Sequence, residues 1–340
     1  MKNNFLFYRF HHAGLINRLM SLEIALGLAH CTGKKLVMYN SLGNTDYALD
    51  SPSLMAGVNL GARESIIDKK VPTIFEFIDY PENMIYEIID FPYIDTFLNN
   101  EIVIKEKDLH EMYFKVSEGN REDLFSKNKE QLIIEQNANY HIKCYTLANY
   151  SRFFFGRTKE LDNLLSSIKF KKEYWDFAKQ VADFIGEFNA IHLRLTDHKK
   201  NFEVLESDLD NAINKLSDSK IILLTDDVTN DMLKNKNITL LDDIIVENFS
   251  KEFVSLPNHS EIAYGLVCAL ILIYSKFFIG TFGSTFTGYI HRERNKLKDE
   301  TFDFMGIPSF GNGTPYSWNL KDYEGWSGMV REWPESKLNV

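Results

Sequence analysis

Strand and helix signals alternate along most of this chain. That alternation restricts it to a doubly wound α/β fold, because consecutive parallel strands need a helix to carry the chain back. Phe5–Arg9 is a short apolar-aromatic run, read as a strand. A turn through His11–Gly14 follows, then a helical stretch from about Asn17 to His30 with apolar residues at Leu19, Leu22, Leu26 and Ala29. Thr32-Gly33 ends it, and Lys35–Tyr39 is the next strand, so the chain opens on a β-α-β unit. Residues 41 to about 130 mix aromatic pairs, proline and acidic residues, and no order of elements is assigned there. Leu132–Glu135 and Tyr140–Tyr145 read as two more strands.

The regularity returns from about residue 158. Leu161–Ile168 and Lys172–Phe184 carry helical spacing, and Phe188–Leu195 is a strand. A helix over about 205–216, a strand at Lys220–Thr225, a short helix over about 228–234 and a strand at Ile238–Leu241 follow. A helix over about 260–275, a strand at Phe277–Gly280 and a helix at Thr285–Leu297 complete the series. The expected organisation is therefore an N-terminal domain over 1–165, a second domain over 166–300 and a tail over 301–340. The tail is too rich in Trp, Tyr and Phe for a disordered segment and is expected to pack back across the domain junction.

At 340 residues the chain is long enough for two buried cores. Its net charge of −10 excludes a nucleic-acid binder, which needs a basic face. A small anion remains compatible, since a few arginines and a helix N-terminus hold one diphosphate. MKNNFLFYRFHH lacks the apolar stretch of a signal peptide, and Leu266–Ile273 is too short to span a bilayer. Cys31, Cys144 and Cys268 are too scattered for a disulfide framework or a zinc site, so buried thiols in a reducing, cytoplasmic location are expected.

Ligands in open α/β sheets bind outside the carboxyl ends of strands, and three strand ends here are chemically loaded. In IHLRLTD, His192 and Arg194 share one strand face while Ile191, Leu193 and Leu195 take the other. Polar groups on an otherwise apolar strand need partners: either Asp197 closes a structural ion pair, or Arg194 meets a ligand. In GTFGSTFTGYIHRER, a strand meets a Gly283-Ser284-Thr285 turn that opens a helix. Such a turn serves as an ordinary N-cap or as an anion site. In HHAGLINRL, Gly14 lies in the first turn, with Asn17 and Arg18 at the helix start; a plain capped helix is the alternative. Thr225 and Asp226 end a fourth strand, where TDD is also a common N-cap sequence. Asp208-Leu-Asp210 has the spacing of a metal-binding acidic pair, but it falls on a predicted helix and is set aside.

Taken together these runs resemble the protein O-fucosyltransferase superfamily. HLRLTD matches its HxRxxD, and KFFIGTFGSTFTGYIHRER is similar to its FIGT-x-x-STF run followed by an ExR-type helix. AGLINRLMSLEIALGLAHCTGKKLVM resembles its opening loop and helix, and TDD its ATD strand end. The resemblance covers residues 5–40 and 188–297 in the same order. It implies a GT-B-like architecture, two Rossmann-like doubly wound domains facing a cleft, with the acceptor side first and the nucleotide-sugar side second. It further implies an inverting glycosyltransferase that moves fucose from GDP-fucose to a hydroxyl of a glycan or protein. No cofactor and no metal are implied; the partners are the nucleotide-sugar donor and the acceptor.

By the same resemblance Arg194 neutralises the departing β-phosphate and His192 sits by the nucleotide. Ser284, Thr285 and Phe286 bind phosphate and base, and Asn17 faces the donor sugar. Asp197, Gly14, Arg18, Thr225, Asp226 and Gly283 complete the donor site. His12, or its neighbour His11, is the candidate base for the acceptor hydroxyl, being near the right pKa. Two of the sequence's departures from the family bear on the site; a third is that it has neither the signal peptide nor the disulfide cysteines of the animal members. No acidic residue stands in the opening loop, and Cys268 occupies the position where several members carry an aspartate that contacts guanine. A different nucleotide sugar, or a catalytically silent nucleotide-sugar-binding protein, are the alternatives.

Overall fold

The structure, a computed structural model, describes residues 5–9, 15–31, 35–40, 61–68, 72–80, 85–90, 101–104, 139–143, 163–164, 166–195, 206–281, 284–298 and 309–310. The chain forms two compact units that part between Phe170 and Lys171. The expected strand at Leu132–Glu135 lies outside the described residues, as does the tail apart from residues 309–310.

The first unit is built on a parallel sheet. Its strands are β1 (Phe5–Arg9), β2 (Lys35–Asn40), β4 (Ile85–Asp90), β5 (Glu101–Ile104) and β6 (Asn139–Lys143), in the order β4-β2-β1-β6-β5. A two-residue strand, β3 (Ile78–Asp79), pairs antiparallel with β7 (Lys169–Phe170) beside it. Helix α1 (Leu15–Cys31) connects β1 to β2 as the periodicity predicts, burying Leu19, Leu22, Leu26 and Ala29. The strands β4 and β5 fall in the stretch for which the sequence offers no ordered pattern.

The second unit is also a parallel sheet. It contains β8 (Phe188–Leu193), β9 (Lys220–Thr225), β10 (Thr239–Leu240), β11 (Phe278–Thr281) and β12 (Ser309–Phe310), in the order β10-β9-β8-β11-β12. The strands run outward from β8 in one direction through β9 and β10, then in the other through β11 and β12. That reversal makes the gap between the carboxyl ends of β8 and β11 a topological switch point. Every residue of β8 and β11 is buried, which is why both read as near-continuous apolar runs.

The helices follow from their spacing. In α2 (Lys172–Ile185) the buried residues Tyr174, Phe177, Ala178, Val181 and Ala182 repeat on one helical face. It ends at Gly186, whose φ of 78° no other residue adopts as cheaply. Helix α3 (Glu206–Lys215) sets Leu209 and Ala212 against Ile191, Leu193 and Leu195, while Lys236 binds Asp210 at 2.5 Å and Glu206 at 3.0 Å. Asp210, one half of the acidic pair set aside above, is thus tied with Glu206 into a surface ion cluster. The short helices α4 (Leu241–Asn248) and α5 (Ser250–Val254) follow β10. Helix α6 (Glu261–Ile273) is apolar on all sides because it is enclosed, with α2 and α7 (Thr285–Lys298) packed on it. Ser260 caps its start by accepting from the Ala263 N–H at 3.3 Å. The Arg294 guanidinium closes its end, donating to the carbonyls of Ile273 (3.1 Å), Ser275 (2.5 Å) and Lys276 (3.0 Å).

Residues 61–68 come from the N-terminal half of the chain yet belong to the second unit. Asp68 donates its N–H to the His259 carbonyl at 3.0 Å, and Arg63 reaches Asp242 at 3.6 Å. Tyr264 donates its hydroxyl to the same carboxylate at 2.9 Å, with the Arg63 guanidinium 5.7 Å from the Tyr264 ring centroid. No sequence signal marks this excursion. Among the described residues no helix is long and apolar enough to cross a membrane.

His291 on α7 is buried against Phe278, with ring centroids 4.9 Å apart. Burial, and then the Arg294 charge, push its pKa down to about 3. An unfolded histidine takes a proton near pH 6.5, so acid favours the unfolded chain throughout the interval between those values. Stability is expected to fall from pH 6.5 toward pH 3, by up to roughly 4–5 kcal/mol from this residue. His291→Phe should flatten that limb in urea titrations at pH 7 and pH 4.5. An unchanged pH dependence in the variant contradicts the assignment.

Candidate active site

At the switch point of the second sheet stand His192, Arg194, Thr225, Asp226 and Ser284, the described ends of three strands and a helix. Beyond Leu193 the chain leaves the β8 ladder, and its backbone groups need partners other than a neighbouring strand. Side chains from both flanking strands supply them. On the β11 side, the Thr281 hydroxyl accepts from the Arg194 N–H at 2.8 Å and donates to the His192 carbonyl at 3.1 Å. On the β9 side, the Asp226 carboxylate accepts from the Leu195 N–H at 2.7 Å. Thr225 holds the same turn by accepting from the Asp227 N–H at 3.2 Å. Thr225 and Asp226 therefore shape the strand ends, a task the motif alone does not reveal.

His192 and Arg194 lie on the face opposite the Ile191, Leu193 and Leu195 cluster, as the two-residue alternation predicts. His192 is buried, with its Nδ1 2.9 Å from the Thr287 hydroxyl of α7 and its ring 4.7 Å from that of Phe286. The Thr287 contact fixes the imidazole plane and occupies one ring nitrogen. Arg194, half-buried, follows at the rim of the strand end.

Helix α7 starts at the same edge. Its first turn carries no acidic residue, so the partial positive charge of its N-terminus is not offset there. Ser284 precedes it, fully buried, and accepts the Gly288 N–H at 3.0 Å through its carbonyl. The Ser284 hydroxyl finds no hydrogen-bond partner among the described residues. A buried hydroxyl without a partner costs about 1–3 kcal/mol unless something else meets it. A helix N-terminus, a buried hydroxyl and an arginine at adjoining strand ends are the elements from which a site for an anion is built.

Gly280 is what lets α7 come this close. A Cβ added there would stand 2.3 Å from the Thr287 Cγ2 and 2.6 Å from its Oγ1. Gly280, Thr281 and Thr287 are the residues sequence reasoning passes over, although the first two sit inside the FIGT-x-x-STF run. Thr287 lies one residue after it and could have been found only from the helical turn that stacks it over the strand.

The remaining predicted residues fall elsewhere. His12, Gly14, Asp197 and Gly283 lie outside the described residues. Thr285 is the first residue of α7, and Asn17 lies in the first turn of α1; nothing is described of either side chain. Arg18 is buried in α1 of the first unit, as is Glu23. Cys268 is fully buried in α6, where burial pushes its thiol pKa up. Among the described residues no group of three or more His, Cys, Asp or Glu could hold a metal ion.

Both units have the parallel, doubly wound layout of Rossmann-like α/β proteins. No protein-family model matches the sequence, and no curated protein matches it significantly. Solved structures do match. The NodZ alpha-1,6-fucosyltransferase soaked with GDP-fucose aligns at 14% identity over 86% of this chain and 92% of its own, with a TM-score of 0.44. POFUT1 in complex with GDP-fucose aligns at 11% identity over 92% and 99%, with a TM-score of 0.44. A mutant of Arabidopsis thaliana FUT1 in complex with GDP aligns at 12% identity over 86% and 69%, with a TM-score of 0.42.

Gly280→Ala is expected to push Thr287 off His192 and to destabilise the protein by roughly 1–3 kcal/mol, as overpacking does. Chemical denaturation of the variant beside the wild type measures it. A variant of unchanged stability would show that α7 does not depend on close approach at this position.

Proposed function

We propose that this protein is an inverting, metal-independent glycosyltransferase of GT-B type that transfers fucose from GDP-fucose to a hydroxyl of a glycan or protein. One observation carries the reading. At the switch point of the second sheet, Arg194 and the N-terminus of α7, with the unpartnered Ser284 hydroxyl, stand at the ends of paired strands. That is a cradle for a diphosphate. The order of the HxRxxD, ATD and FIGT-x-x-STF motifs supplies the choice of GDP-fucose.

In this reaction the acceptor oxygen attacks the anomeric carbon as the bond from that carbon to the β-phosphate oxygen breaks. GDP departs with the bonding electrons, and the acceptor proton passes to a base. Positive charge grows on the sugar ring and negative charge on the β-phosphate. Arg194 and the α7 amides stabilise the latter where it develops, fixed in place before the reaction starts. Ser284 and Thr285 take further phosphate oxygens, and His192 with Phe286 borders the nucleotide. The family resemblance alone adds Gly283 and Asp197 to the donor site and assigns Gly14, Arg18 and Asn17 of the first unit to the donor, with His12 or its neighbour His11 to take the acceptor proton.

A second reading keeps the chemistry and changes the nucleotide. It is favoured by Cys268, which offers a buried thiol rather than a carboxylate for a guanine edge.

Purified protein should hydrolyse or transfer from GDP-fucose, and Arg194→Ala should lose at least about 100-fold of that rate while melting as the wild type does. Near-normal transfer by a folded Arg194→Ala removes the assignment. Thermal shifts with GDP, UDP and other nucleotides separate the two readings, because a ligand that binds only the native state raises its melting temperature. A larger shift with UDP than with GDP selects the second.

A further inference from the structure

We infer that Thr281 is the positioning residue of this site: its hydroxyl sets where the Arg194 guanidinium stands. The inference rests on the proposed role of Arg194 and deepens it. Thr281 ends β11 and is fully buried. Its single oxygen makes two backbone bonds to the adjacent strand, accepting from the Arg194 N–H (2.8 Å) and donating to the His192 carbonyl (3.1 Å). A hydroxyl has one donor and two acceptor positions, so it can serve both groups at once. The β8–β11 ladder itself stops short of Arg194, its last register pair being Gly280 with His192. The Thr281 side chain thus extends the sheet by one step, up to the residue proposed to act on the phosphate.

The consequence is geometric. With the Asp226 carboxylate holding the Leu195 N–H at 2.7 Å from the other flank, the peptide units before and after Arg194 are both anchored. A guanidinium helps a transition state only if it is already aimed there, and displacement by about 1 Å can cost on the order of 100-fold in rate. Removing the Thr281 hydroxyl takes one bond from each of these two backbone groups and frees the strand end to drift. A purely structural threonine would show itself in stability alone. A positioning residue shows itself in kcat, because its effect is felt where charge develops.

Thr281→Val, equal in size but without the hydroxyl, should lower kcat on GDP-fucose about 10–100-fold while changing the donor KM and the Kd of GDP far less. Thr281→Ser should restore most of the loss. Should Val prevent folding, Thr281→Ala carries the same comparison, judged on protein that melts cooperatively. Wild-type kcat in folded Thr281→Val or Thr281→Ala overturns the inference, as does a folded Thr281→Ser that is no better than Val. Arg194→Ala, assayed in parallel, keeps the two claims apart. If that variant is active the proposed function fails on its own account. If it is inactive while Thr281→Val is unimpaired, only the positioning role fails.

Discussion

Beyond Leu193 the backbone runs past the end of its own ladder, and the N–H groups of Arg194 and Leu195 are met by side chains. Thr281 reaches across from β11 and Asp226 from β9, each within 3.1 Å of its backbone partners. A buried N–H or carbonyl left without a partner costs about 1–3 kcal/mol, so neither contact is incidental. The same contacts fix the one stretch of chain that carries both His192 and Arg194. Gly280 adds the third condition, allowing α7 close enough for Thr287 to engage His192. Sheet topology, a missing Cβ and these hydrogen bonds together shape the strand end proposed to hold an anion.

The opposite end of β8 is tied down just as closely. The Asn189 amide donates to the Leu216 carbonyl and to Asp218, both at 2.8 Å, and its oxygen accepts from the Phe277 N–H at 3.2 Å. Arg294 performs the same service for the end of α6, its buried guanidinium spread over the Ile273 carbonyl and those of Ser275 and Lys276 just beyond. These contacts give the second unit a rigid frame. The chain's net charge of −10 says nothing against an anion site within it, because the local field is set by Arg194 and the helix end.

Much of the second unit was legible in the sequence because parallel strands buried on both faces are written as apolar runs, and FNAIHL, KIILLT and FIGT are such runs. The alternation that puts His192 and Arg194 on one face was equally readable. The helix pair after β10 was not, since LDDIIVEN and SKEFV are too short to show a period. Nor were β4 and β5, which lie among aromatic and acidic residues with no helix pattern between them. The docking of residues 61–68 on the second unit rests on Arg63 meeting Asp242 and on the Asp68 N–H meeting the His259 carbonyl, long-range pairings that no local pattern encodes. Within the site, the motif named Thr225 and Asp226 as donor residues. Their observed bonds are to backbone, a role visible only once the strands are side by side.

The central claim is that the carboxyl edge shared by β8 and β11 receives the diphosphate. Amide hydrogen exchange, followed by mass spectrometry with and without GDP, tests it without reference to any acceptor. Bound GDP should slow exchange across the first turn of α7, at Ser284–Gly288, and in the segment from His192 to Leu195. GDP binding that protects neither stretch, or protects only peptides remote from this edge, contradicts the account.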